Sequence, residues 1–94
     1  MEKANMPEDF YELSVNEQQI LVNWCKQLDK IKTFNKWHNS YNLKHKFEFS
    51  ENGFYVTNGA LKQAMLLAGF SYRKQGDGTN WIFNISEKSF KKLR

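Results

Sequence analysis

Apolar residues recur every three or four positions over residues 15–32. Ile20, Leu21, Trp24, Leu28 and Ile31 fall on one stripe, with Asn16, Asn23, Lys26 and Lys30 on the opposite side. That period predicts an amphipathic helix whose stripe faces a core. Ser14 and Glu17 stand at capping-box spacing ahead of it, where each side chain satisfies a backbone N–H that the first turn leaves orphaned. A polar stretch, residues 33–39, holds Trp37 and His38. Asn39 or Ser40 then offers a cap for a second helix reaching residue 49, with Leu43 and Phe47 inward. Phe47, Phe49 and the Asn52-Gly53 pair also suit a hairpin with residues 54–56, and the helix is the preferred reading.

Phe54, Tyr55 and Val56 read as a short apolar strand. Thr57 or Asn58 caps a third helix, with Leu61, Ala64, Met65 and Ala68 on its buried stripe and Asn58, Lys62, Gln63 and Leu66 facing elsewhere. Gly69 is the expected left-handed stop, after which Phe70 folds back. Two alternating runs, residues 70–74 and 81–85, flank a Gly76-Asp77-Gly78 tip and predict a β-hairpin. Trp81, Phe83 and Ile85 should point into the core, and Ile82 and Asn84 away from it. Ser86 caps a short basic helix with Lys88, Lys91, Lys92 and Arg94, anchored by Phe90 and Leu93. Residues 1–13, which lack periodicity and hold the one proline, Pro7, read as a flexible acidic arm. Residues 14–94 then form a single α+β domain in the order helix, helix, strand, helix, hairpin, with a basic C-terminal helix.

Size and composition bear this out as a plan. In a chain of 94 residues, eight Phe, four Tyr and three Trp supply a core from few side chains. The single cysteine, Cys25, permits no internal disulfide and sits within the first helix without a visible base beside it, so it reads as a packing thiol. No apolar run approaches the roughly 20 residues of a membrane span, and the polar, acidic start is not a secretion signal, so the expected location is the cytoplasm.

Candidate chemistry is sparse. His38 and His45 lie seven residues apart across a helix boundary, and nothing else has metal-ligand spacing. The Gly76-Asp77-Gly78 tip precedes a strand rather than a helix, so it is no phosphate cradle. Glu48 and Glu51 read as solvated acids near a helix end. Neither an enzyme nor a cofactor or metal site is expected, which leaves binding. The net charge of +4 is unevenly spread: −3 over residues 1–13, +2 over residues 14–53 and +5 over residues 54–94. Such asymmetry suggests a polyanionic partner.

The element order resembles a winged helix, mainly over residues 54–85. The resemblance implies that Asn58, Lys62, Gln63 and Leu66 face the major groove of duplex DNA. Arg73, Lys74 and Gln75 would form the wing, and Lys88, Lys91 and Lys92 would add basic contacts from the tail. Asn and Gln read adenine edges, while Lys and Arg neutralise phosphates. The stretches Ser40-Tyr41-Asn42-Leu43-Lys44-His45, Phe54-Tyr55-Val56-Thr57-Asn58-Gly59 and Asn80-Trp81-Ile82-Phe83-Asn84-Ile85-Ser86 are similar to small accessory proteins of phages and integrative elements of Gram-positive bacteria. That resemblance implies either a nucleic-acid-binding regulator or an anti-CRISPR-like inhibitor that grips a host protein or nucleoprotein complex, such as an effector nuclease. The third helix carries one cation on its polar face, and Asp77 would sit near phosphates, which keeps the protein-binding reading open. Under it Trp37, Tyr55, Tyr72 and Ile82 are the residues to watch, because aromatic and large apolar groups anchor interfaces.

Overall fold

A computed structural model describes residues 3–93 of the chain. Three α-helices precede a two-stranded antiparallel hairpin, and a short fourth helix follows it: α1 Val15–Cys25, α2 Ser40–Glu48, α3 Asn58–Leu67, β1 Tyr72–Gln75, β2 Asn80–Phe83 and α4 Glu87–Lys92. The architecture is mixed α+β.

Each helix starts where the side-chain chemistry places it. Ser14 and Glu17 exchange both capping-box bonds, at 3.1 and 3.0 Å. Asn39 and Asn42 do the same for α2, at 3.0 and 2.9 Å. Thr57 Oγ1 accepts from the Ala60 N–H, and Ser86 Oγ from that of Ser89. Gly69, at φ +94°, closes α3: the Phe70 N–H bonds back to Met65 O and the Gly69 N–H to Leu66 O. This is the bond pair that satisfies the last helical carbonyls. The hairpin pairs Tyr72 with Phe83, Arg73 with Ile82, Lys74 with Trp81 and Gln75 with Asn80. Phe10, Leu21, Trp24, Leu28, Leu43, Phe47, Leu61, Met65, Phe83 and Ile85 belong to one buried cluster, with α3 at its centre.

The structure corrects the expectations in four places. First, α1 ends at Cys25, seven residues short of Lys32. The backbone beyond it is claimed by the chain after the hairpin: Asp29 N donates to Ser89 Oγ, Ser86 N to Asp29 O, and Ile31 N to Asn84 O. Lys30 bridges Ile85 and Asn39 bridges Ile82, so residues 30–39 run as a broken third strand beside β2. Leu28 keeps its place in the core, but Ile31 is exposed.

Second, residues 54–56 form no strand. The free edge of β2 is already taken by residues 30–39, and the Val56 N–H is satisfied instead by the Glu48 carboxylate at 3.1 Å. Third, Ile82 is buried as well as Trp81 and Phe83. It shares a hairpin face with Arg73, whose guanidinium lies 4.6 Å over the Phe34 ring, so the 33–39 segment covers that side too.

Fourth, the N-terminal arm is docked. Lys3–Asn5 and Pro7–Glu12 form short 3-10 turns that pack on α3, and Phe10 is only 2% exposed within the common core. Gly59 permits the contact, because a Cβ there would lie 2.1 Å from the Met6 carbonyl oxygen. Arg94, expected at the end of α4, lies outside the described residues.

Candidate functional site

The residues expected to read DNA from the third helix are largely spoken for by the arm. Asn58 is buried, and its Nδ2 lies 2.9–3.0 Å from Asn5 Oδ1, Thr79 O and Asn80 Oδ1. Lys62 has no exposed surface; its Nζ donates to Asn5 O at 2.8 Å and sits 4.9 Å over the Trp81 ring. Burial first, and the charge of Lys74 second, hold the Lys62 ammonium below its ordinary pKa. Gln63 Nε2 donates to the Tyr11 hydroxyl at 3.1 Å. Leu66 is half-buried against the core. The supposed reading face of α3 is thus an internal contact, with Thr57 Oγ1 bonded to Asp9 at its start.

The remaining predicted residues are exposed, and of them Lys74 is the one whose charge is felt by the buried Lys62. Arg73 and Lys74 are neighbours in β1 and therefore project to opposite faces of the hairpin. Arg73 and Gln75 lie on the Ile82 side, where Gln75 Oε1 accepts from Asn39 Nδ2 at 2.9 Å. Lys74 lies on the Trp81 side, where Tyr72 stacks on Trp81 with ring centroids 3.9 Å apart. Lys88, Lys91 and Lys92 are exposed on α4. Lys91 approaches Glu87 at 3.9 Å, and Lys92 borders a recess beside Trp24 and Leu93. Lys62, being buried, adds nothing to an exposed basic face, and Arg73 and Lys74 point to opposite sides of the hairpin.

Aromatic groups occupy the surface instead. Trp37 is 81% exposed, Phe49 87% and Tyr55 72%. Tyr41, His45 and Phe49 follow one another at i, i+4 and i+8 along the outer side of α2, with the Tyr41 and His45 rings edge to face at 4.3 Å. Sequence reasoning named Trp37 and Tyr55 but passed over Tyr41 and Phe49. The signal was there: with Leu43 and Phe47 inward, a four-residue spacing offset by two puts 41, 45 and 49 outward.

Two polar knots hold this surface in shape. Lys44 lies between Tyr41 and Tyr55, with Nζ 5.8 and 4.8 Å from their ring centres, and pairs with Glu48 at 2.8 Å. Burial pushes the Glu48 carboxyl up, but the bonds from Lys44 and the Val56 N–H and the charges of Lys44 and His45 outweigh it, so its pKa is lowered. In the loop before α2, Asn35 Nδ2 donates to Glu87 at 3.0 Å while its Oδ1 accepts from the Trp37 N–H at 2.8 Å. His38 stacks on Phe90 at 3.7 Å and meets Glu87 at 3.0 Å. Bonds from Asn35 and then His38 lower the Glu87 pKa.

Among the described residues no group of three or more His, Cys, Asp or Glu side chains could hold a metal ion. Nor is any helix among them long and apolar enough to cross a membrane. Cys25 is fully buried, and that burial pushes its thiol far above the ordinary range, which removes it as a nucleophile at neutral pH. Comparison of the chain with protein-family models, curated proteins and solved structures yields no match in any of the three.

Proposed function

We propose that this protein is a binding module of winged-helix order whose partner is another protein. In this reading residues 30–39 supply a strand-like segment between the first two helices, and the strand expected at residues 54–56, between the second and third helices, has no counterpart. The observation that carries the proposal is the exposure of Trp37, Phe49 and Tyr55. Large rings left in water cost free energy in the isolated chain and return it when a partner covers them, and such rings dominate interface hot spots. A duplex-DNA reader needs the opposite arrangement, with cations and amides free on α3. Here Asn58 and Lys62 are buried and Gln63 is bonded to the arm. An inhibitor or adaptor that grips a host protein, the second implication of the mobile-element resemblance, fits this surface.

The test pairs two measurements. The immobilised protein is offered to host lysate treated with nuclease, beside Trp37→Ala, Phe49→Ala and Tyr55→Ala variants. A protein partner should survive the nuclease and be lost from at least one variant. Labelled duplex DNA is titrated at several salt concentrations against the parent and the Arg73→Ala/Lys74→Ala double variant. Tight low-salt binding whose salt dependence flattens by about two phosphate contacts in the double variant would return the function to DNA.

A further inference from the structure

Four separated segments converge on a recess of about 400 Å³ beside the exposed side of α2: the arm at Ala4 and Asn5, α2 at Tyr41 and Lys44, the connection at Tyr55 and Thr57, and the hairpin tip at Thr79 and Asn80. Its walls are the two tyrosine rings, and Tyr41 is 49% exposed. Its one charged lining residue, Lys44, is already neutralised by Glu48, so the recess as a whole carries no net charge for an ionic ligand to answer.

Asn58, at the floor, sets the polarity of the rim. Its amide group has two hydrogens and three acceptors around it, and two of those acceptors are Asn5 Oδ1 and Asn80 Oδ1. Both neighbouring amides are thereby turned with their oxygens inward, and among the described residues no bond uses the Nδ2 group of either. The site therefore offers flat aromatic walls and two uncommitted N–H donors, with no free charge. The matching ligand has apolar rings, exposed carbonyl acceptors and neither charge nor donors to satisfy.

We infer that this recess receives a proline-containing segment of the partner protein in extended polyproline II conformation. Such a chain has no internal hydrogen bonds, its carbonyls point to solvent, and its rings pack on aromatic walls. A nucleotide would also stack on tyrosine, but it brings a phosphate, and the only cation here is spent on Glu48. This assignment rests on the protein-binding reading and adds the chemistry of the segment bound.

The test follows the side-chain amide resonances of Asn5 and Asn80 during titration with a proline decamer, a Gly-Ser decamer and a ten-residue oligothymidylate. The proline peptide should shift both resonances saturably and the Gly-Ser peptide should not. Tyr55→Ala, whose ring is mostly in water and whose loss should leave the other amide signals in place, should weaken the proline peptide about tenfold or more. Tyr55→Phe should keep its affinity within about twofold, because only the hydroxyl is removed. No saturable shift, equal binding by Tyr55→Ala, or stronger shifts with oligothymidylate would overturn the assignment. If the peptide fails while nuclease-resistant capture persists and depends on Trp37 or Phe49, this site falls and the protein-binding reading stands.

Discussion

Gly59→Ala is the most informative single change, because helix propensity and tertiary packing predict opposite signs. Within a helix, Gly to Ala stabilises by about 0.5–1 kcal/mol when nothing else changes. Here the new methyl would meet Met6 backbone atoms at 2.1, 2.6 and 2.7 Å, and none of these belongs to a flexible side chain that can swing away. Ordinary contact begins near 3.4 Å, so the Met6 carbonyl must retreat by about 1.3 Å, the difference from 2.1 Å. Asn5 moves with it, which strains its bonds to Asn58 and Lys62 at about 1 kcal/mol each. If the arm lifts far enough to free Phe10, a further roughly 3–5 kcal/mol is at stake. Packing wins over propensity, and a net loss of about 2–4 kcal/mol is expected, a large share of the stability of a domain this size.

Urea unfolding followed by tryptophan fluorescence measures the loss directly, since Trp24 and Trp81 are both buried. A Gly59→Ala protein as stable as the parent, or more stable, would show that the arm does not rest on α3 and would reopen that helix as a reading face. The same variant probes function. Lifting the arm uncovers Asn58, Lys62 and Gln63, and a single cation cannot supply much counterion release. Duplex affinity should therefore stay low. A steep, salt-sensitive gain would mean that the arm masks a nucleic-acid surface.

Trp81→Ala should cost about 3–5 kcal/mol, because the ring is buried in the common core between Tyr72 and Lys62; a parent-like melting temperature would contradict its inward placement. Glu48→Gln should cost roughly 3 kcal/mol near neutral pH, since it strips the partner from the buried Lys44 ammonium. Because the folded Glu48 pKa lies below its unfolded value, its contribution is present above the unfolded pKa and disappears as pH falls through the folded one. The variant's stability should accordingly be flatter across that acid limb than the parent's. Lys62 gives the same sign of slope in the alkaline range, because burial disfavours its charged form: its folded pKa is lowered, so parent stability should rise with pH between the folded value and the ordinary one, and Lys62→Met should abolish that rise. Cys25 should resist an aromatic disulfide reagent in the native protein and react at once in denaturant; rapid native labelling would refute its burial.

Most of the elements were legible because their signals are local. Ser14 with Glu17, Asn39, Thr57 and Ser86 cap helices through hydrogen bonds that reach three residues, and Gly69 ends one through its own backbone freedom. The hairpin likewise needs only its alternation and tip. What failed was set by partners far along the chain. Residues 26–32 continue an apolar period, yet Asp29, Lys30 and Ile31 exchange bonds with residues 84–89, and no window of sequence contains both. Residues 54–56 look like a strand by composition but have no edge to join, because Asn39 meets β2 at Ile82 and Lys30 meets the chain just beyond it at Ile85.

The same asymmetry explains the burial of Asn58 and Lys62. Lys62 and Asn58 sit on the polar side of an amphipathic helix, which ordinarily means solvent, and the rule breaks only because the arm lies across them. The arm looked loose because a 3-10 turn has no long apolar period and its acids resemble a solvated tail. Its anchor, Phe10, is one ring among eight phenylalanines. Gly59 was the readable clue. A glycine in the first turn of a helix that needs no left-handed residue there marks close approach by another chain segment, and the only long unplaced segment was the N-terminus. Once α3 is closed from that side, charge stops being a guide to the binding surface, since Lys62 and Lys44 are both consumed internally. Exposure of rings takes its place, and the outward period of α2 with Tyr55 beside it marks the surface proposed for contact, which net charge alone would have put on the other helix.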